Sequence, residues 1–159
     1  MSYKDLSRED FDAIVTGELT HYAIWLEDVL VRFISRHFAA EARRKDFERL
    51  ILRRDGLTFQ DKIEIVRAML PLFENRDAAE KLKPLLGRIE EFKANRNAFA
   101  HGLDVTPKEL PPPTVLVEIV TRSGKEKVVE VSPEAHKEQM ASAEALLSEL
   151  HTVANEIGV

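Results

Sequence analysis

Cysteine is absent from this chain of 159 residues, which excludes disulfides, thiolate metal sites and a cysteine nucleophile. The absence fits the reducing cytoplasm, where disulfides are rare. The N-terminal stretch MSYKDLSRED contains no apolar core of the kind that a secretory signal needs. No apolar run is long enough to span a bilayer, so we expect a cytoplasmic protein with no membrane partner.

Several catalytic patterns are also missing. The chain contains neither G-x-x-x-x-G-K-[ST] nor G-x-G-x-x-G, which excludes the standard phosphate-binding loops, and it lacks the spacing of a serine hydrolase. Glu18 and His21 form an E-x-x-H pair, but a di-iron bundle needs a second such pair and two further glutamates. We therefore expect no metal site and no cofactor.

Charge is unevenly distributed along the chain, whose net charge is −5. Residues 32–54 contain eight Lys/Arg and three acids, so this segment carries +5 and the remainder carries −10. Such asymmetry can create a basic face on an acidic protein, although a solvated helix surface would show the same run of charges.

Apolar residues at helical spacing predict a helical bundle that forms one domain over residues 1–159. Ser7 with Asp10 and Thr58 with Asp61 are start signals for the first and third helices, and a short basic helix lies between them. The fourth helix is expected to have Pro84 in its first turn and to end at His101, with Gly102 as its cap. A last helix follows Ser132-Pro133, and its two histidines, His136 and His151, are predicted to be surface residues.

Two β-rich runs interrupt the helices. TVLVEIV and EKVVEV, joined by TRSGK, predict a β-hairpin at about residues 114–131. The predicted fold class is therefore mainly α, a helical bundle with one inserted β-hairpin.

The stretch NRNAFAHG at residues 95–102 places polar residues in an apolar helix just before its end. On a helical wheel of about 100° per residue, Arg96 falls about 20° from Ile89, which marks the centre of the apolar stripe. Asn97 and His101 are four residues apart and share one flank of that stripe, and Glu90 lies on the same flank.

These residue types suit phosphate chemistry. Arginine offers a charged, planar fork for phosphate, and histidine can accept or donate a proton near neutral pH. Together they could cleave RNA without a metal, through attack of the 2′-hydroxyl on the adjacent phosphodiester. The alternative is structural: Arg96 would pair with Glu27 or Asp28 of the first helix, and His101 would cap a helix C-terminus.

The run Arg96-Asn97-Ala98-Phe99-Ala100-His101 resembles the R-x4-H motif of the HEPN (higher eukaryotes and prokaryotes nucleotide-binding) superfamily, including the polar residue after the arginine and the position late in a helix. The resemblance implies a metal-independent RNA endonuclease, in toxin–antitoxin or antiviral defence, that forms a homodimer with a composite site. It also implies that Arg96 stabilises the scissile phosphate, that His101 acts as general base or acid, and that Asn97 orients it. Leu103 stands where one branch of the superfamily has a modifiable tyrosine, which argues against that branch.

Other expectations depend on the same hypothesis. Glu90 would assist the site, and RNA would bind the basic helix through Arg43, Arg44, Lys45, Arg49, Arg53 and Arg54. The expected partners are RNA, a second copy of the chain, and an antitoxin or other protein. Two alternatives remain: a non-catalytic HEPN-like dimeric domain that binds or scaffolds a nucleotide or a protein, and a helical-bundle interaction protein in which Arg96 is paired internally.

Overall fold

Helices dominate the fold. A computed structural model describes residues 2–120 and 123–159. The α-helices of this part are α1 (Arg8–Phe38), α2 (Glu41–Phe47), α3 (Phe59–Met69), α4 (Arg76–His101) and α5 (Pro133–Ile157), and the strands are β1 (Leu103–Asp104), β2 (Val115–Val120) and β3 (Glu126–Val131). The hairpin of β2 and β3 lies between α4 and α5, so the predicted fold class is confirmed. None of the helices in the described ranges combines the length and the apolar character needed to cross a membrane.

The predicted helix start signals act as N-caps. Before α1, the backbone N–H of Asp10 donates to the Ser7 hydroxyl (3.1 Å), and that hydroxyl donates to the Asp10 carboxylate (2.7 Å). Thr58 and Asp61 form a complete capping box at the start of α3, and the Ser132 hydroxyl accepts a backbone N–H of α5. Side chains thus satisfy N–H groups that have no partner within these helices.

The prediction that Pro84 lies in the first turn of the fourth helix was wrong. α4 begins at Arg76, where the side chain of Asn75 accepts the backbone N–H of Ala78 (3.1 Å), and Pro84 lies exposed in the helix interior. Proline removes one helical hydrogen bond. The stripe of residues that flanks it, including Leu82 and Leu86, is fully buried, and this burial offsets the loss.

The basic segment is less regular than the single short helix that its pattern predicted. After α2 the chain continues as one π-helical stretch, Glu48–Leu52. The Glu48 carboxylate accepts a hydrogen bond from the buried Ser35 hydroxyl (2.6 Å), and Leu52 is buried. The hydrogen bond attaches the start of the π-helical stretch to α1, and its last residue is buried.

Contacts divide the chain into two compact units. The sheet unit comprises residues 1–23 and 92–144, and the helical unit comprises residues 24–91 and 145–159. α1, α4 and α5 contribute residues to both units. The single domain over residues 1–159 stays a prediction.

In the sheet unit, the three strands form an antiparallel sheet of order β1–β2–β3. Leu103 of β1 lies opposite Glu118 of β2, and Glu118 lies opposite Val128 of β3. Alternation along β2 buries Val115 and Val117 on one face, whereas Glu118 belongs to the other face. β1 extends the predicted hairpin to a three-stranded sheet.

His136 is buried, which corrects the prediction of a surface histidine. Its side chain has no exposed surface, its Nε2 contacts the Glu18 carboxylate at 2.5 Å, and the Tyr3 hydroxyl donates to the same carboxylate. The rings of Tyr3 and Phe11 pack edge-on against the imidazole. The prediction followed from the charged residues around His136 in α5. The Glu18 carboxylate of α1 provides a polar partner, and this partner allows the imidazole to be buried. His151 is exposed, as predicted.

The helical unit contains a buried cation. The side chain of Lys62 is 4% exposed, and its ammonium binds the carboxylate of Glu27, whose side chain is 31% exposed. An ammonium in this position depends on its carboxylate partner, because transfer of an unpaired charge from water is costly. The Glu27 carboxylate, in contrast, is still partly hydrated.

This asymmetry predicts unequal costs when the pair is broken. Glu27→Gln leaves a buried ammonium without its counter-charge and should lower the free energy of unfolding by about 3 kcal/mol. Lys62→Met removes the charge and keeps the volume, so its cost should stay below about 1 kcal/mol. Urea unfolding followed by circular dichroism measures both. Glu156→Gln, which breaks the exposed Lys81 pair, is the control and should change stability by less than about 1 kcal/mol. Equal costs for the first two variants would contradict the argument.

Candidate functional site at the end of α4

Gly102 joins the last turn of α4 to the sheet. Its backbone N–H donates to the carbonyl of Ala98 (2.8 Å), so it ends the helix as predicted. Its φ is not positive, and the reason for glycine is a close approach. A Cβ at this position would lie 2.1 Å from Cγ1 of Val117 and 2.5 Å from the carbonyl oxygen of Ala98. Only glycine therefore lets the helix end lie this close to β2.

Hydrogen bonds hold β1 against β2 just after this point. The Thr106 hydroxyl and backbone N–H both donate to the Asp104 carboxylate, and these bonds lower the pKa of Asp104. The backbone N–H of Leu116 donates to the Thr106 hydroxyl (2.9 Å), and the N–H of Val105 donates to the carbonyl of Leu116 (3.0 Å). The short strand β1 is thus fixed at both ends.

A groove of about 540 Å³ lies where α4 meets the sheet. The α4 side contributes Asn97 and His101, which the sequence predicted as site residues, and β2 contributes Glu118, which it did not. The remaining lining residues are Ala94, Ala98, Leu103, Ile119 and Val120. The groove therefore combines an imidazole, an amide and a carboxylate with an apolar wall.

The polar groups of the groove differ in their contacts. His101 is exposed, and Asn97 and Glu118 are partly exposed. Asn97 accepts a hydrogen bond from Nη1 of Arg96 (3.0 Å), so its observed partner is the arginine rather than the predicted His101. The side chains of His101 and Glu118 have no hydrogen bond or ion pair with any described residue. Both remain available to a ligand.

Arg96 is partly buried, in keeping with its position on the wheel. Its Nε is buried and has no hydrogen-bond partner among the described residues, and Arg96 is not one of the residues that line the groove. The alternative pairing partners are occupied, because Glu27 binds Lys62 and Asp28 binds Arg53 (2.9 Å). Within the described residues, Asn97 is therefore the link between the guanidinium and the groove.

Glu90 and the basic residues belong to the helical unit. Glu90 accepts hydrogen bonds from Arg67 (2.7 Å) and Gln60 (3.0 Å), and its carboxylate raises the pKa of Arg67. In the basic segment, Arg53 pairs with Asp28, and Arg44 is partly buried. The other four cations, Arg43, Lys45, Arg49 and Arg54, are exposed. The proposed roles of all these residues stay predictions.

Glu118 could not be found from sequence because its neighbours are distant along the chain. Strict alternation in TVLVEIV does predict that Glu118 and Val117 lie on opposite faces. Glu118 is brought close to His101 by the pairing of Leu103-Asp104 with β2. A run of two residues is too short to be predicted as a strand from sequence.

Metal coordination has no candidate in the part of the chain that the structure describes, where no group of three or more His, Cys, Asp or Glu side chains is placed to hold an ion. The chemistry that this groove can offer with its own residues is hydrogen bonding and proton transfer by His101 and Glu118.

Gly102→Ala should destabilise the protein by about 3 kcal/mol or more, because the new methyl group would overlap both Val117 and the helix backbone. Gly17→Ala is the matched control in the same unit, since a Cβ at that exposed helical position meets nothing within 4 Å. That control should raise stability by up to about 1 kcal/mol. Thermal unfolding of both variants tests the close approach, which would be refuted by two variants of equal stability.

Comparison of the chain with protein-family models, with curated proteins and with solved structures gave no match in any of the three. The geometry of the groove and the chemistry of its residues are therefore the basis for assigning a function.

Proposed function

We propose that the protein is a metal-independent RNA endonuclease of the HEPN type. The observation that carries the proposal is the groove at the end of α4, which is lined by His101 and Asn97 and linked through Asn97 to Arg96. These are the residues of the R-x4-H motif.

The proposed reaction is attack of the ribose 2′-oxygen on the adjacent phosphorus, with cleavage of the bond from phosphorus to the 5′-oxygen. It needs proton transfer and stabilisation of negative charge on the phosphoryl oxygens. His101 is exposed at the groove and serves as a proton-transfer group. Arg96 donates to Asn97 from Nη1, so other N–H groups at the end of its guanidinium remain to donate to a phosphate.

The groove also suits a nucleotide in size and character. Its volume of about 540 Å³ falls within the range of small-ligand sites. Leu103 and Val120 are 65% and 67% exposed and offer an apolar surface for a nucleobase. A groove that is open to solvent can also admit a polymer.

The basic cluster of Arg43, Lys45, Arg49 and Arg54 supports RNA binding by the helical unit. These side chains are exposed, and exposed cations can neutralise phosphates; Arg49 also lies 3.8 Å from the Asp46 carboxylate, an exposed pair that a phosphate can replace. Binding that depends on them weakens as salt concentration rises.

The biological setting extends the proposal. We place the protein in the cytoplasm as a homodimer with a composite site, acting in toxin–antitoxin or antiviral defence, where an antitoxin or other protein would control it. Support for this setting comes from the motif, since toxic ribonucleases need such control.

The first test is cleavage of single-stranded RNA by the purified protein in EDTA. Wild type should release products with 2′,3′-cyclic phosphate and 5′-hydroxyl ends, and His101→Ala should lower the rate by about 10²–10⁴-fold, the usual contribution of a proton-transfer group. His151→Ala is the matched control, because that histidine is also exposed on a helix but lies in the helical unit. It should cleave at the wild-type rate.

Two outcomes would contradict the proposal. Intact RNA with wild type, or equal cleavage by wild type and His101→Ala, would remove the enzyme hypothesis. Salt-sensitive RNA binding without cleavage would favour the second candidate, a non-catalytic HEPN-like binding domain. The apolar wall of the groove, formed in part by Leu103 and Val120, is the observation that favours that candidate.

A further inference from the structure

We infer that Glu118 is a second catalytic proton-transfer group, which acts with His101 in the same groove of the same chain. This inference rests on the proposed ribonuclease function and adds a residue that lies outside the R-x4-H motif. It follows from the position of the partly exposed Glu118 in the groove, from its lack of a partner among the described residues, and from the strand that places it next to the end of α4.

Glu118 differs from every comparable glutamate in the described residues. Five glutamates are partly exposed: Glu18, Glu27, Glu48, Glu90 and Glu118. The first four are each bound by a side chain, namely those of His136, Lys62, Ser35 and Arg67. Glu118 has no such partner within the described ranges. A carboxylate that is partly withdrawn from water gains from a hydrogen-bonding partner, and Glu118 lacks one among the described side chains.

The surroundings of Glu118 sharpen the contrast. The residues directly opposite it are Leu103 on β1 and Val128 on β3, which are 65% and 52% exposed. Across the three strands, the Glu118 carboxylate therefore lies between two aliphatic side chains. Neither aliphatic neighbour offers a cation or a hydrogen-bond donor to the Glu118 carboxylate. A ligand in the groove can supply such a donor.

The backbone fixes the relation between Glu118 and His101. His101 ends α4, Gly102 lies against the carbonyl of Glu118, and Leu103 pairs with Glu118 in the sheet. Both side chains line the groove, and no hydrogen bond joins them. An acid and a base that act on one substrate must not be bonded to each other, and this pair meets that condition.

The assignment of roles follows from the ordinary chemistry of the two groups. A glutamate carboxylate is ionised at neutral pH and can accept a proton, whereas an imidazole can carry a proton to donate. Glu118 takes the proton of the 2′-hydroxyl as the 2′-oxygen bonds to phosphorus. The bond from phosphorus to the 5′-oxygen breaks, and protonated His101 gives its proton to that oxygen. Glu118 then releases its proton to water, and His101 takes one up.

Each chain would thus contain a base and an acid of its own. The homodimer would then be needed for RNA binding or regulation, and the partner's histidine would not be needed as the second proton-transfer group. This consequence separates the inference from a composite site in which the two histidines share the proton transfers.

The test compares the pH dependence of RNA cleavage in four proteins. Wild type should show a bell-shaped profile, because the reaction needs one group that accepts a proton and one that donates a proton. Glu118→Gln should lower kcat/KM by about 10²–10⁴-fold and abolish the rise on the acid side. Glu118→Asp, which keeps the carboxylate, should retain a rise. Glu126→Gln is the matched control on the same sheet face, outside the groove, and should behave as wild type.

A further measurement guards against loss of the fold. Glu118→Ala should regain part of its activity when formate is added, because a free carboxylate can occupy the vacated space and accept the proton. Thermal unfolding of each variant reports on folding independently of activity. A structural role for Glu118 would show no formate rescue and no change in the shape of the pH profile.

The outcomes separate this inference from the proposal beneath it. Wild-type cleavage that is lost in His101→Ala but unchanged in Glu118→Gln would overturn the role of Glu118 and leave the ribonuclease function standing. Absence of cleavage by wild type would overturn both. Loss of the acid-side rise in Glu118→Gln alone, together with formate rescue of Glu118→Ala, would establish the acid–base pair.

Discussion

The close approach of Gly102 to β2 is the constraint on which the site depends. A helix and a strand are joined through one residue, and that residue has no room for a side chain beside Val117 and Ala98. Because Leu103 then pairs with Glu118, the helix end and the middle of β2 are brought to the same place. The groove and the grouping of His101, Asn97 and Glu118 follow from this single backbone approach.

Elsewhere in the chain, ionisable side chains that are partly or fully removed from water are stabilised by a partner of opposite type. Lys62 with Glu27, Arg67 with Glu90 and His136 with Glu18 each combine a partly or fully buried group with an opposite partner. These pairs explain why such residues are tolerated inside a small protein. Glu118 lacks such a partner among the described residues, and it lines the groove at the end of α4.

Local signals predicted much of the fold. Ser7, Thr58 and Ser132 marked helix starts that their hydroxyls do cap, and alternating apolar residues located β2 and β3. The errors came from interactions between distant residues. Pro84 is tolerated inside α4 because the apolar stripe on either side of it is buried. His136 is buried because its Nε2 contacts the carboxylate of Glu18, which is distant in sequence. Asn97 and His101 were found from a motif within one helix, whereas Glu118 required the register of β1.

The direct connection of α4 to β1 through Gly102 also affects the thermodynamics of ligand binding. The last turn of a helix usually frays, and a histidine there would sample many positions. Here the backbone after His101 enters a sheet at once, and Asp104, Thr106 and Leu116 hold that sheet closed by hydrogen bonds. The entropy of ordering the helix end is lost when the chain folds. A ligand that enters the groove therefore meets a helix end whose backbone is already ordered, and it loses less binding free energy to ordering that backbone.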